Sequence, residues 1–290
     1  MKKYILLASI ILSVVGCGKL TREREVDRSK LRGYDYRLFQ KTPAWELAKA
    51  VWDDDFKKIN ELTKKDKNLI NYQDPKFGET LLFLTMWNNQ KETFKLLLSL
   101  GADLNIHDTY DGASPIIRAC ESGFNIEFAM ILLRHGANPS DIEVGKRREG
   151  NTTRYTPLMA AAKSGNIDLV ELLVNKGANL NYKNEFDQSA LSESIIQGKY
   201  DVILYLLKKG VNYRMPTSKN EDRHKTYHIE DELQYMLPEL NSSEYKTKML
   251  IVDFLKGKGV IYKRVPVPEY VLKQVKERYP NNWQEYLDKY

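Results

Sequence analysis

A Gly-Ala-Asx triplet returns along the middle of this chain, as Gly101-Ala102-Asp103, Gly136-Ala137-Asn138 and Gly177-Ala178-Asn179, with Gly210-Val211-Asn212 as a fourth. From 101 to 136, 177 and 210 the spacings are 35, 41 and 33 residues. Recurrence at this interval points to one supersecondary unit stacked on copies of itself. A second marker precedes each triplet: Thr80-Leu81-Leu82, Ser114-Pro115-Ile116, Thr156-Pro157-Leu158 and Ser189-Ala190-Leu191. Thr or Ser there predicts a helix cap, Pro is tolerated at the first helical position, and the apolar residue after it faces a core. Gly123, Gly165 and Gly198 then divide each unit into two short helices, and Gly101, Gly136, Gly177 and Gly210 end the second one. The second helices, Phe94–Leu98, Phe128–Leu133, Leu169–Leu173 and Val202–Leu207, carry apolar residues at three- and four-residue spacing, which makes one stripe to be buried. A single helix pair cannot cover that stripe, whereas a stack of pairs can.

The period, the caps, the helix breaks and the apolar pattern together resemble the ankyrin repeat. The resemblance implies an all-α solenoid of five to six helix-turn-helix repeats joined by short hairpin loops. The clear repeats are read at residues 75–108, 109–141, 153–184 and 185–216. Leu47, Ala50, Val51, Phe56, Ile59 and Leu62, with Asp54 at the helix break, extend the pattern to an N-terminal cap at 42–74. Ile229 to Leu237 and Ile251 to Gly259 suggest a degenerate last repeat at 226–262, followed by a helical tail at 263–290. Ile142 to Arg154 is an insertion, and Pro216 to Thr226 reads as a polar link. The chain departs from the family pattern at Asn89 and Asp187, which stand where Gly is usual. The family's His after Thr-Pro-Leu is replaced by Phe83, Ile117, Met159 and Ser192, so the bonds that His makes between loops are missing and repeat spacing and curvature are expected to differ.

The amino terminus resembles a bacterial lipoprotein signal. Lys2-Lys3 precede an apolar run from Tyr4 to Val15 that ends in Gly16-Cys17. The run is shorter than the roughly 20 residues a spanning helix needs, which favours a cleaved signal at 1–16 over an anchor. Cys17 would then be the lipid-bearing first residue, 17–41 a charged tether, and Tyr34, Tyr36 and Phe39 in it candidates for docking on the first repeat. This places the body in the envelope, at the periplasmic face of the outer membrane if the cell has two. With Cys17 lipidated, Cys120 has no partner, and the fold cannot depend on an internal disulfide. The net charge of +6 is made of interspersed Lys, Arg, Asp and Glu, which is a poor footprint for nucleic acid.

Signs of catalysis are lacking. His107, His135, His224 and His228 have no metal-ligand spacing, and neither a phosphate loop nor a Gly-x-Ser-x-Gly motif occurs. The chain is read as a non-enzyme without cofactor or metal, monomeric when unbound, whose function is recognition of a protein. By the resemblance, contacts are expected from the loop tips at Phe77, Tyr110, Tyr155 and Phe186. The ends of the first helices add Trp87, Asn88, Glu121, Lys163 and Ile196, and the insertion adds Arg147 and Arg148. Exposed aromatic residues suit such a role because they bury large area with few rotatable bonds. Ankyrin-repeat lipoproteins of this size resemble immunity partners of secreted lipase-type toxins that act in the periplasm. A structural or assembly role on a resident envelope protein is the alternative.

Overall fold

Each predicted stripe forms one arm of a helix pair. The computed structural model describes residues 22–144, 154–220, 225–262, 267 and 269–289. Cys17, Arg147, Arg148 and His224 therefore lie outside the described residues, as does most of the 142–154 insertion. Contacts divide the chain into two units, Met1–Pro115 and Ile116–Tyr290.

In the first unit, α1 (Trp45–Trp52) and α2 (Phe56–Lys65) form one pair, and α3 (Leu81–Trp87) and α4 (Lys91–Ser99) the next. The turns inside these pairs need a left-handed residue. Asp54 supplies it at φ 53° and Asn89 at φ 55°, so Asn89 does the work of the missing Gly. Asn tolerates this region better than most residues with a Cβ. Asp55 then starts α2 by accepting the Lys58 N–H at 3.0 Å. Leu81 through Met86 are all buried, which is why α3 is apolar on every side. Burying each of its large side chains is worth about 1.5–3 kcal/mol. Thr80 departs from expectation, since its side chain makes no capping bond, whereas Thr156 and Ser189 both cap their helices.

The second unit continues with α5 (Pro115–Ala119), α6 (Ile126–Arg134), α7 (Pro157–Ser164), α8 (Ile167–Asn175), α9 (Ala190–Ile196) and α10 (Tyr200–Lys208). Ala160, Ala161 and Ala162 are buried on α7, and Ser192 and Ser194 on α9; these small side chains let the two helices pack directly on each other. Cys120 is fully buried and burial pushes its thiol pKa up, so it is a small core residue and not a reactive one. Two short strands follow, β1 (Ser218–Asn220) and β2 (Lys225–Tyr227), antiparallel with Ser218 opposite Tyr227. The stretch expected to be a plain polar link is thus a hairpin. Next come α11 (Ile229–Tyr235) and α12 (Ser243–Gly257), then α13 (Glu269–Arg278) and α14 (Trp283–Lys289). The last two helices fold back: Val271, Val275 and Tyr286 bury against Leu237, with Trp283 and Leu287 at the margin. The Tyr279 hydroxyl donates to the Leu237 carbonyl at 3.0 Å.

A main-chain bond closes each of the five loops that join successive pairs from α2 to α11. The N–H groups of Asp74, Asp108, Glu143, Asn184 and Thr217 donate to the carbonyls of Glu79, Ala113, Tyr155, Gln188 and Tyr227, all at 2.8–3.0 Å. Both long segments therefore open at hairpin tips: the insertion lies between Glu143 and Tyr155, and the two-stranded hairpin between Thr217 and Tyr227. Links between adjacent repeats use short polar side chains in place of the absent His. Asn71 Oδ1 accepts the Asp103 N–H, Ser140 Oγ the Asn179 N–H and Asn181 Oδ1 the Asn212 N–H, each at 2.8 Å.

Glycines at left-handed positions differ in what surrounds them. Gly78 has φ +70°, and a Cβ there would lie 2.5 Å from Thr109 Cγ2 and 2.7 Å from the Thr109 nitrogen; Gly101 has φ +96° with open space around it. Backbone strain alone costs about 1 kcal/mol at such positions. Gly101→Ala should thus lower stability by about 1 kcal/mol and Gly78→Ala by about 3 kcal/mol or more, because Thr109 must also move. Urea unfolding of the two variants checks this, and equal losses would contradict it.

Candidate partner-binding surface

Tyr155 is the centre of the expected contact residues in the second unit. It follows the insertion directly, and its main chain is clamped to Glu143. The Tyr155 N–H donates to Glu143 Oε2 at 2.8 Å, and the Glu143 N–H donates to the Tyr155 carbonyl at 3.0 Å. Lys163, at the end of α7, reaches back to donate to the Tyr155 hydroxyl at 3.2 Å, with its ammonium 4.9 Å from the ring centre. Beneath them lies Glu193 on α9, which is buried; burial pushes its carboxyl pKa up, against a bond from Tyr155 and the charge of Lys163. Burial likewise pushes the Tyr155 phenol up, helped by the negative charge of Glu193.

Tyr155 and Lys163 form one wall of a cavity of about 300 Å³, with Glu121, Ser122, Ala160 and Ser164 completing it. Glu121 is held by Arg118, whose Nη1 lies 3.0 and 3.1 Å from its two carboxylate oxygens. Three of the expected contact residues, Glu121, Tyr155 and Lys163, therefore share one concave site. Phe186 is 48% exposed at the next tip, where Asn184 Oδ1 holds its N–H at 3.0 Å. Glu185 beside it faces Arg154 at 3.7 Å, which ties this tip to the base of the insertion. Ile196 is 56% exposed and belongs to a second cavity, of about 510 Å³, with Tyr200, Tyr235, Met236, Pro238 and Arg278.

The first-unit residues are arranged differently. Phe77 and Tyr110, on adjacent tips, pack on each other with ring centres 5.5 Å apart and the planes tilted by 59°. They form a joined aromatic patch and not two separate anchors. Trp87 is 39% exposed, but its indole N–H donates to Glu79 Oε1 at 3.0 Å, which gives this surface tryptophan a structural reason to be where it is. Asn88 faces its own chain: its amide donates to the Tyr34 carbonyl at 2.9 Å. Glu143 and Glu193 were not foreseen. A hint for Glu193 was its place in Leu191-Ser192-Glu193-Ser194-Ile195, where a long carboxylate interrupts small and apolar residues. The described residues contain no group of three or more His, Cys, Asp or Glu able to hold a metal ion.

Helix pairs joined by closed hairpin tips, with polar and aromatic side chains gathered at the tips and first-helix ends, define a repeat scaffold for binding other proteins. The family model for ankyrin repeats matches residues 47–146 and 141–217, more than half of the chain. The chain belongs to the ankyrin-repeat family, whose repeats act as protein–protein interaction modules and are generally non-enzymatic. It is 31% identical over 163 residues to neurogenic locus notch homolog protein 1 of Mus musculus, covering 56% of this chain and 6% of that protein. It is also 31% identical over 176 residues to ankyrin repeat and KH domain-containing protein mask-1 of Caenorhabditis elegans, covering 53% and 6%. The matched stretch is thus a small part of each relative.

Proposed function

We propose that this chain is a lipid-anchored binder of the bacterial envelope, which holds one protein partner at the cavity formed by Glu121, Tyr155 and Lys163. The observation that carries the binding half is that cavity's position. It opens beside the base of the longest hairpin-tip insertion, where added chain can enlarge a contact without disturbing the stack. The anchoring half rests on Lys2-Lys3, the apolar run and Gly16-Cys17. No helix among the described residues is long and apolar enough to cross a membrane. The partner is a toxin of the lipase type acting in the periplasm, and the chain is its immunity protein. An anchor suits this task because it keeps the binder on the surface that such a toxin attacks.

Two substitutions test the site. Tyr155→Ala with Lys163→Glu removes one wall of the cavity and reverses its charge; because it also takes the Tyr155 bond from buried Glu193, thermal unfolding of the variant is measured beside its function. Cells carrying the parent chain should survive contact with toxin-delivering neighbours, and cells carrying the double variant should be killed at least tenfold more. Affinity capture in the same cells should retain one toxin-like protein on the parent alone. Capture of resident envelope proteins only, with survival unaffected, would shift the function to envelope assembly. Cys17→Ser should abolish incorporation of a labelled acyl chain; a variant still labelled would refute the anchor.

A further inference from the structure

The stretch expected to be a tether is held, from Arg22 onward, on the first unit. Tyr36, Leu38, Phe39 and Gln40 are buried, and Tyr36 stacks on Trp52 with ring centres 5.7 Å apart, so residues 36–40 are rooted in the body. Residues 29–34 are held in another way. Lys76, at a loop tip, donates to the carbonyls of Ser29 at 2.8 Å and Leu31 at 2.6 Å, and Asn88, at a first-helix end, donates to that of Tyr34 at 2.9 Å. Gly33 passes so close to Glu79 that a Cβ on it would sit 3.1 Å from the carboxylate. The side chains in this stretch point away: Lys30 is 82% exposed and Tyr34 is 49% exposed. Residues 28–30 form one turn of 3-10 helix and the Asp35 N–H closes a second turn on the Arg32 carbonyl at 3.0 Å, so tip and helix-end residues grip a tightly turned segment by its carbonyls, with little regard for its side chains.

We infer that Lys76, Glu79 and Asn88 form a second binding surface, specific for a tightly turned segment with glycine opposite Glu79, and that residues 29–34 of the same chain fill it in place of an outside peptide. The segment is a displaceable arm whose two ends are fixed, at residues 36–40 and, through the Gln40 amide, at the Arg22 and Arg24 carbonyls. This accounts for Asn88 lying at a family contact position, and Lys76 beside the tip residue Phe77, while both serve their own chain, and it requires no knowledge of the partner held at Tyr155.

Gly33→Asp tests the inference by setting a carboxylate against Glu79 while Lys76 and Asn88 remain. In the full chain, trypsin should cut after Lys30 and Arg32 about tenfold faster than in the parent, with the thermal unfolding of the body unchanged. A fluorescent peptide of residues 24–35 should then bind this variant at least tenfold more tightly than the parent, measured by anisotropy, and the same peptide with Gly33→Asp should not bind. Lys76→Ala with Asn88→Ala is the second variant, and it should release the arm yet fail to bind the peptide. Unchanged cleavage in both variants would overturn the displaceable arm, and faster cleavage without peptide binding would overturn the binding surface. A parent that runs as a dimer with exchanged arms would overturn filling by the same chain.

Discussion

Lys248→Met should make the second unit more stable at neutral pH by about 3–4 kcal/mol, an unusual sign for a substitution at a fully packed position. Lys248 is 2% exposed on α12, with its ammonium 2.8 Å from the Met236 carbonyl and 5.5 Å from the centre of the Tyr262 ring. Burial is the cause that pushes its pKa down, from the ordinary 10.5 to about 7. The sign follows from proton binding. Between pH 7 and 10.5 the unfolded chain keeps a proton that the folded chain releases, so stability rises with pH across this window. Below pH 7 the cost is complete, about 4–5 kcal/mol for a shift of this size. Methionine keeps the apolar stem and removes the charge, while the lost bond to Met236 returns about 1 kcal/mol of the gain. Guanidinium unfolding at pH 7, 8 and 9 should show the parent gaining stability with pH and the variant nearly flat. A variant less stable than the parent, with the pH slope intact, would show that burial of the ammonium is not the dominant cost.

Asp74→Ala should cost the first unit about 3 kcal/mol or more. Its side chain, 2% exposed, accepts three main-chain N–H groups at the loop tip: Oδ1 takes those of Lys76 and Phe77 and Oδ2 that of Glu79, each at 2.8 Å. Alanine leaves these donors without their acceptor, and each buried loss costs about 1–3 kcal/mol. Asp74→Asn should lose less, about 1–2 kcal/mol, because one amide oxygen can still serve Lys76 and Phe77. The tip also presents Lys76 to the arm, so trypsin cleavage after Lys30 should accelerate in Asp74→Ala before global unfolding does. Denaturant titration and timed proteolysis read the two effects separately; equal stability of Ala and Asn variants would show that the tip is held by its main chain alone.

Much of the architecture is legible in the residues because it is written in local chemistry. Helix breaks appear as Gly123, Gly165 and Gly198, and second helices as apolar residues at three- and four-residue spacing. Where Gly was replaced, at Asn89 and Asp187, the backbone kept positive φ, 55° and 60°, so the departures were changes of residue and not of conformation. The loop closures were hidden because the same main-chain role falls to Asp74, Asp108, Glu143, Asn184 and Thr217. The main chain makes the bond there, and the residue type does not announce it. Strand pairing between Ser218–Asn220 and Lys225–Tyr227 was missed for the same reason, since a short polar stretch carries no apolar alternation. The arm was the hardest to foresee: Ser29, Leu31 and Tyr34 are gripped by their carbonyls, which every residue possesses. At the candidate site the sequence led to Tyr155, Lys163 and Glu121 separately, and only the fold brings them around one cavity with Glu193 below.

The docked arm also measures out a leash. Arg22 is pinned by an ion pair to Asp53 and by its guanidinium 4.6 Å from the centre of the Trp52 ring. If Cys17 bears the lipid, five residues separate the bilayer from that point, a reach of at most about 17 Å. The body would then lie close against the headgroups, with Trp52 and Asp53 nearest the membrane. The buried Gln40 amide also donates to the Arg22 and Arg24 carbonyls at 2.8 and 3.0 Å and Lys49 pairs with Glu23 at 2.8 Å, so release of residues 29–34 leaves this reach unchanged. The peptide-sized contact can thereby open and close while the distance of the body from the bilayer stays fixed.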